Sequence, residues 1–375
     1  MIILLTGGGT GGHFYPMIAV ARAIRAVAER EHIIKLELFF ADDVPFDPQL
    51  LAEENIRFVK IPSGKLPRFV SPQYLTSPFK IIAGIAVAFW RLYMLLPDVV
   101  FSKGGYAAFP VLVAARILRI PVVVHESDAV PGKVNEWSAR WAERVAISFP
   151  QSREYFQKTA NSALTGNPIR HQVVGGTTEE ALETFALEEQ TPVILVLGGS
   201  QGAEPINEVI LDTLLEAVSR YQIIHQTGAR NIDEVRARST VILGQSSFKH
   251  RYHAYGFLSE ADLRNASHIA SLVITRAGAG SIFEAAAWRL PAILIPLPHA
   301  AQDHQRENAY AYARFGGCEV IEETNLTPHI VLSAVDRILG DPKKITTMKR
   351  AAQEFARLDA AERIAEEIIK LGVHD

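Results

Sequence analysis

Two glycine-rich turns constrain this chain more than any other feature. TGGGTGG, residues 6–12, follows the apolar run IILL, and LGGSQGA, residues 197–203, follows VILV. Apolar residues at helical spacing come after each. Strand, glycine turn and helix in that order open a βαβ unit, whose right-handed crossovers build a parallel sheet covered on both faces. Two such openings about 190 residues apart predict two Rossmann-like units, not one large sheet.

The pattern between them agrees. Short apolar runs predict strands at 2–6, 36–40, 99–101, 122–125 and 145–147, then at 193–197, 223–225, 272–275 and 292–296, with helices at 15–29, 206–219 and in the gaps. At 375 residues the chain is long for one domain and comfortable for two. The break falls in TGNPIRHQVVGG, residues 165–176, where strand pattern gives way to Gly, Pro and polar residues. The expected domains are 1–166 and 167–349, with residues 173–190 as a connector and a helical tail, about 350–375, crossing back onto the first. The fold class is therefore α/β: two Rossmann-like domains with parallel sheets, their strand C-termini facing a central cleft.

Composition removes several classes. A formal net charge of −3 lacks the basic excess of a nucleic-acid binder. The single cysteine, Cys318 in RFGGCEV, permits no intrachain disulfide and reads as a small buried apolar residue. Met1 is followed at once by a strand pattern, so no secretory signal is expected. The longest uncharged apolar run, residues 81–90, is about half of what a membrane-spanning helix needs.

Five of the six residues 7–12 are glycine, a costly concentration for a turn without a ligand. Exposed backbone N–H groups beside a helix N-terminus make an anion site. Read strictly, Gly7, Gly9 and Gly12 satisfy the G-x-G-x-x-G of a nicotinamide fold. That reading wants an acidic residue about 20 positions on, whereas Asp42 and Asp43 come about 30 after Gly12. His13 and Pro16 suit a loop reaching into a cleft. FSKGGYAAFP, residues 101–110, repeats the strand and glycine theme, and HESDAVPGKVN, residues 125–135, sets His125, Glu126 and Asp128 at another strand end. In the second half, Ser200 and Gln201 sit inside a glycine turn able to hold a phosphate or sugar. TRAGAGSIFEAAA, residues 275–287, places Glu284 one turn into a helix. There it can bond ribose hydroxyls or simply answer the helix dipole. Asp303, His304, Gln305 and Asn308 form a last polar cluster. Without Asp-x-Asp, H-x₃-H or C-x₂-C no built-in metal site is expected, so a nucleotide diphosphate must meet helix N-termini and side chains such as Arg170 or Arg276.

Taken in order, TGGGTGGHFYP, FSKGGYAAFP, HESDAVPGKVNEW, TGNPIR, LGGSQGA, RAGAGSIFEAAA and DHQRENA resemble the MurG family, from residue 6 to about 309. These cell-wall glycosyltransferases add N-acetylglucosamine to lipid I, the undecaprenyl-pyrophosphate-linked MurNAc-peptide, giving lipid II for peptidoglycan. The resemblance implies a glycosyltransferase type B (GT-B) fold, an inverting metal-independent reaction and no cofactor. It implies UDP-GlcNAc and lipid I as partners, and a cytoplasmic protein peripheral on the inner face of the cell membrane. Glu284 would take the ribose, Ala279, Gly280 and Ser281 the diphosphate, and the Leu258 backbone the uracil. Thr10, Gly11, Gly12, Asp128, Arg170, Ser200, Gln201, His304 and Gln305 would complete the donor contacts. Gly9, Thr10, Gly104, Gly105, Tyr106 and Glu126 would meet the acceptor. Residues 65–96, with Lys80, Phe89, Trp90 and Arg91 in an apolar stretch, would touch the membrane, although on pattern alone most of them read as a buried helix.

The acceptor hydroxyl must lose a proton as it attacks, and His13, with an ordinary pKa near 6.5, suits a general base. It can equally hydrogen-bond a diphosphate or its own loop. The family commonly reads HEQN where this chain reads HESD. Ionised Asp128 only accepts, whereas Asn also donates, so the sugar contact changes there and Asp128 becomes a second candidate base. Three alternatives stay open on the sequence: the same fold acting on another lipid such as diacylglycerol, an NAD-dependent oxidoreductase, and a non-catalytic sugar-binding protein.

Overall fold

The computed structural model describes residues 1–8, 11–64, 73–157, 161–199, 202–298 and 300–373. Two compact units emerge, Met1–Ile169 with Arg357–Asp375, and Arg170–Ala356. The first holds seven parallel strands in the order β3-β2-β1-β4-β5-β6-β7. They are β1 Ile2–Thr6, β2 Glu37–Asp42, β3 Ile56–Lys60, β4 Val99–Ser102, β5 Val122–Glu126, β6 Arg144–Ile147 and β7 Ser162–Leu164. The second holds six, in the order β10-β9-β8-β11-β12-β13. These are β8 Val193–Leu197, β9 Gln222–Gln226, β10 Tyr252–Tyr255, β11 Leu272–Arg276, β12 Ala292–Ile295 and β13 Cys318–Val320. Each sheet reverses its direction of growth once, between β1 and β4 and between β8 and β11. Helices leave opposite faces at such a point and the loops part, so ligands bind there in doubly wound sheets.

The two parallel sheets are the α/β architecture that the glycine turns predict. Four strands lie outside the runs named from the sequence: β3, β7, β10 and β13. All are edge strands, and their sequences IRFVK, SAL, YHAY and CEV carry charge, brevity or half-buried polar residues. An edge strand faces solvent along one side and needs no continuous apolar run. The first helix is Gly11–Arg30, not 15–29. Pro16 lies inside it and removes the one bond that its N–H would make to the Gly12 carbonyl. Residues 173–190 are no free connector. They contain the helix Thr178–Phe185, whose Thr177 cap accepts from Glu180 N at 3.2 Å. Phe185 is buried edge-on to Tyr255, and Trp288 Nε1 donates to the Val173 carbonyl at 2.7 Å.

The return to the first unit begins at Arg357, later than the expected 350. The helix Pro342–Phe355 stays with the second unit because Phe355 packs, tilted or edge-on, among Phe283, Tyr312 and Phe315, with ring centres 4.8–5.0 Å from its own. The last helix, Ala360–Gly372, lays Ala361, Ile364, Ala365, Ile368 and Ile369 into the core beneath the first helix. The long helix Gln73–Leu95 turns Gly84, Ala88 and Leu92 inward. Its other face exposes Ile82, Phe89, Trp90, Tyr93 and Met94, with Lys80 and Arg91 beside them. That corrects the buried-helix reading for half of its surface. No described helix is long and apolar enough to cross a membrane.

Candidate active site

In the first unit the switch-point loops pack tightly. Gly7, at φ +132°, lies against Lys103, where a Cβ would stand 2.8 Å from the lysine Cβ. At Gly8 a Cβ would fall 1.5 Å from the Asp42 carboxylate. Asp42 is 4% exposed and accepts the Asp43 N–H at 2.6 Å, so it braces a turn. It does not offer a carboxylate to a ribose as the nicotinamide reading requires. Gly9 and Thr10 lie outside the described residues. Gly11 is buried and Gly12 exposed at the helix start. His13, half-buried one turn in, has Nδ1 3.3 Å from the Gly8 carbonyl, and its ring lies 3.4 Å from where a Gly105 Cβ would be. A carbonyl only accepts, so this contact puts the proton on Nδ1 and the lone pair on Nε2.

After β4, Gly104 and Gly105 both take φ near +79° (+78° and +79°), and Tyr106 stands partly exposed beyond them. Burial, then Asp42 and Asp43, raise its phenol pKa. Beneath the turn is a residue the sequence reading passed over. Lys103 Nζ meets His125 Nδ1 at 2.6 Å, Ser127 Oγ, and Asn167 Oδ1 at 3.2 Å. Its signal was a lone charge between a buried strand and two glycines. Burial, followed by the lysine charge, holds the His125 pKa well below the ordinary histidine value. His125 is fully buried, with Nε2 on the Gly166 carbonyl at 3.0 Å, and serves as a structural post.

Glu126, expected at the acceptor, is 3% exposed and faces its own loop. Its oxygens accept from Asp128 N at 2.9 Å, Gly132 N at 3.0 Å and Asn135 Nδ2 at 2.9 Å. Burial, with Asp128 adding to it, pushes its carboxyl up to about 7. In this structure Glu126 holds the loop that carries Asp128. Asp128 itself is half-buried, its backbone pinned at both ends by Glu126 and by Ser152 Oγ at 3.0 Å.

In the second unit the helix Ala279–Ala287 starts after Gly278 with no side-chain cap. A Cβ on Gly278 or Gly280 would meet nothing within 4 Å. An uncapped, open N-terminus leaves its first N–H groups for an anion, with Ala279, Gly280 and Ser281 around it. One turn on, Glu284 Oε1 lies 2.9 Å from Arg170 Nη2, and Arg170 Nη1 lies 3.5 Å from Glu260 Oε1. Two residues from opposite ends of the sequence reading thus meet as a pair, with Arg170 only 7% exposed. The Leu258 N–H donates to Gln226 Oε1 at 3.0 Å, so Gln226, another residue passed over, sets the backbone expected at the base.

Gln305 Oε1 accepts the Leu297 N–H at 3.0 Å and ties that loop to the helix His304–Phe315. His304 is half-buried at its first turn. Gln302 and Asp303, just before, both hold φ +54°, a strain that clusters at ligand sites. Asn308 Nδ2 reaches the Ala277 carbonyl at 3.4 Å. Arg276 departs from expectation. It turns away to the Ile295 and Pro296 carbonyls and to Glu323 at 2.5 Å, leaving Arg170 as the guanidinium nearer the anion turn's helix. Gly199, at φ +80°, has open space above it, and the helix Glu204–Ala217 starts uncapped. Ser200 and Gln201 lie outside the described residues. Among the described residues no three His, Cys, Asp or Glu side chains group to hold a metal ion.

Two doubly wound units, each with glycine turns at its switch point, and an uncapped helix open to an anion in the second, have the architecture of the GT-B class. Residues 3–147 match the glycosyltransferase family 28 N-terminal domain, and residues 193–364 the family 28 C-terminal domain. A UDP-N-acetylglucosamine--N-acetylmuramyl-(pentapeptide) pyrophosphoryl-undecaprenol N-acetylglucosamine transferase of Natranaerobius thermophilus is 32% identical over 97% of this chain and 98% of its own length. The transferase of the same name from Geobacter sulfurreducens is 34% identical over 98% of each. The crystal structure of Acinetobacter baumannii MurG superposes with a TM-score of 0.73 at 25% identity, covering 98% of this chain and 99% of the other. The chain belongs to glycosyltransferase family 28, and within it to the MurG family.

Proposed function

We propose that this protein transfers N-acetylglucosamine from UDP-GlcNAc to the MurNAc 4-hydroxyl of lipid I, forming lipid II. One observation carries the donor half: the open N-terminus of Ala279–Ala287 with the Glu284–Arg170 pair one turn inside it. The N-terminus suits the diphosphate, Glu284 the paired ribose hydroxyls, and Arg170 the charge that UDP carries away. The same nucleotide-sugar and lipid pyrophosphate are named for the relatives. The first unit takes the acceptor on Gly104, Gly105 and Tyr106 and on the loop of residues 7–12. Inversion follows when the hydroxyl attacks the anomeric carbon opposite UDP. His13, its lone pair on Nε2, takes the proton, with Asp128 the second candidate base.

The acceptor is lipid-linked, and the exposed face of Gln73–Leu95 supports a peripheral seat on the cytoplasmic side of the membrane. Phe89, Trp90, Tyr93 and Met94 with Lys80 and Arg91 are the composition of an interfacial helix. Incubating the protein with UDP-GlcNAc and either lipid I or diacylglycerol tests the assignment. Transfer to lipid I is expected, and transfer to diacylglycerol alone overturns it. UDP should raise the melting temperature and NAD should not, because a ligand binding only the native state stabilises it by mass action.

A further inference from the structure

Lys103 has no part in the transfer just described, yet it lies at the centre of the first unit's loops. It is 2% exposed, and its nitrogen is met by acceptors from three segments: His125 on β5, Ser127 in the loop after it, and Asn167 beyond β7. His125 must accept here. Its Nε2 faces the Gly166 carbonyl at 3.0 Å, so Nε2 bears the hydrogen and Nδ1 the lone pair. Three partners that can accept around one nitrogen suit an ammonium, which has three donors, and the Ser127 hydroxyl can also donate to the amine when Lys103 gives up its proton.

A buried cation is expensive unless charge opposes it. Desolvation lowers the Lys103 pKa to about 7, with Glu126 and Asp128, on the segment that also carries Ser127, pulling against it. Glu126 in turn fixes Asp128 through its backbone N–H. From the other elements, His13 on the first helix faces the cluster through His125, while Asp42, ending β2, and Asp43 act on Tyr106.

We propose that Lys103 is a positioning residue for the acceptor side of the reaction. It pins His125, Ser127 and Asn167, so fixing the loop that presents Asp128. Its kinetic test rests on the transferase reading, and its spectroscopic test does not. The variants are Lys103→Met and Lys103→Gln, each alone and with Asp128→Asn. Lys103→Met should lower kcat/KM for the lipid acceptor by about 10- to 100-fold, as misplaced loops do, while UDP affinity stays within about twofold. The acidic limb of the kcat/KM profile should move to higher pH, because a carboxylate without its cation is harder to ionise. In the double variant that shift should vanish, and the two losses should fail to multiply.

Independently of any turnover, the ¹⁵N resonance of His125 Nδ1 should move toward that of an unbonded lone pair in Lys103→Met. Losses that multiply, with an unmoved acidic limb, overturn the role in the reaction, and an unmoved His125 resonance overturns the placement of Lys103. Should Lys103→Met fail to fold, Lys103→Gln decides, since it keeps a donor for Ser127 or Asn167 without the charge. Wild-type rate and profile in Lys103→Gln refute the proposal. Absence of transfer by the unaltered protein would instead count against the transferase reading, with the His125 resonance still deciding for or against Lys103.

Discussion

Replacing Gly104 with alanine should be among the most damaging single-methyl changes in the first unit. Gly104 holds φ +78°, a conformation that costs a residue with a Cβ about 1–2 kcal/mol. The added methyl would stand 2.3 Å from Asn135 Oδ1 and 2.8 Å from its Nδ2, so the Asn135 amide must move. Moving it breaks the 2.9 Å bond to Glu126 Oε2 and the 3.2 Å bond to the His125 carbonyl. A hydrogen bond to a charged partner contributes about 1.5–3 kcal/mol. Together the strain and the lost bond to Glu126 come to about 2.5–5 kcal/mol, on the order of 10 °C in the melting of a unit this size. Gly132→Ala is the matched control. Gly132 has φ −67° and open space around it, so its alanine variant should be neutral or more stable by up to about 1 kcal/mol. Urea unfolding followed by Trp137 and Trp141, which meet edge-to-face with ring centres 5.3 Å apart in the first unit, measures both. A Gly104→Ala cost below about 1 kcal/mol, or equal costs for the two variants, would refute the reasoning.

Ile368 is fully buried in the last helix, and Ile368→Ala should cost about 2–5 kcal/mol in the same denaturation; a loss under 1 kcal/mol would mean that the helix packs only loosely. Glu284→Ala should weaken UDP by about 2–3 kcal/mol, at least thirtyfold by titration calorimetry, from hydrogen bonds to a charged group; unchanged affinity removes Glu284 from the ribose. His13→Ala should lower turnover by about 10²- to 10⁴-fold with UDP affinity preserved, and normal turnover discards His13 as base. Arg251, then Thr191 and His250, hold the Glu188 carboxyl at about 2 against an ordinary 4.5. A depressed carboxylate contributes stability above its unfolded pKa and loses it as pH falls through its folded one. Glu188→Gln should therefore flatten the decline in stability between about pH 4.5 and 2; equal slopes for variant and parent would contradict that.

What the sequence made legible follows from which residues must be apolar on both faces. β1, β4, β8 and β11 flank the switch points and are buried throughout or nearly so, so their runs stand out and fix the fold and the loops that matter. β3, β7, β10 and β13 face solvent at the sheet edges and leave no such trace. The site divides similarly. Glycines with positive φ and a glutamate one turn into a helix announce themselves by type and spacing. Lys103, Asn135 and Gln226 act by holding other groups, which depends on side chains meeting across 9 to 64 residues of chain. The sequence offers Arg276 to a diphosphate and, through the family resemblance, Glu126 to the acceptor. Each instead turns back to hold its own loops.

The last helix has a consequence for how the protein is made. Ile364, Ala365, Ile368 and Ile369 complete the core under Gly11–Arg30, yet they leave the ribosome after the whole of the second unit. The unit whose synthesis starts first can be finished only last. Until then its first helix keeps an apolar flank uncovered, and vectorial synthesis gives the second unit the earlier chance to fold. A nascent chain arrested before residue 360 should accordingly show a native second unit beside a first one that still recruits chaperones.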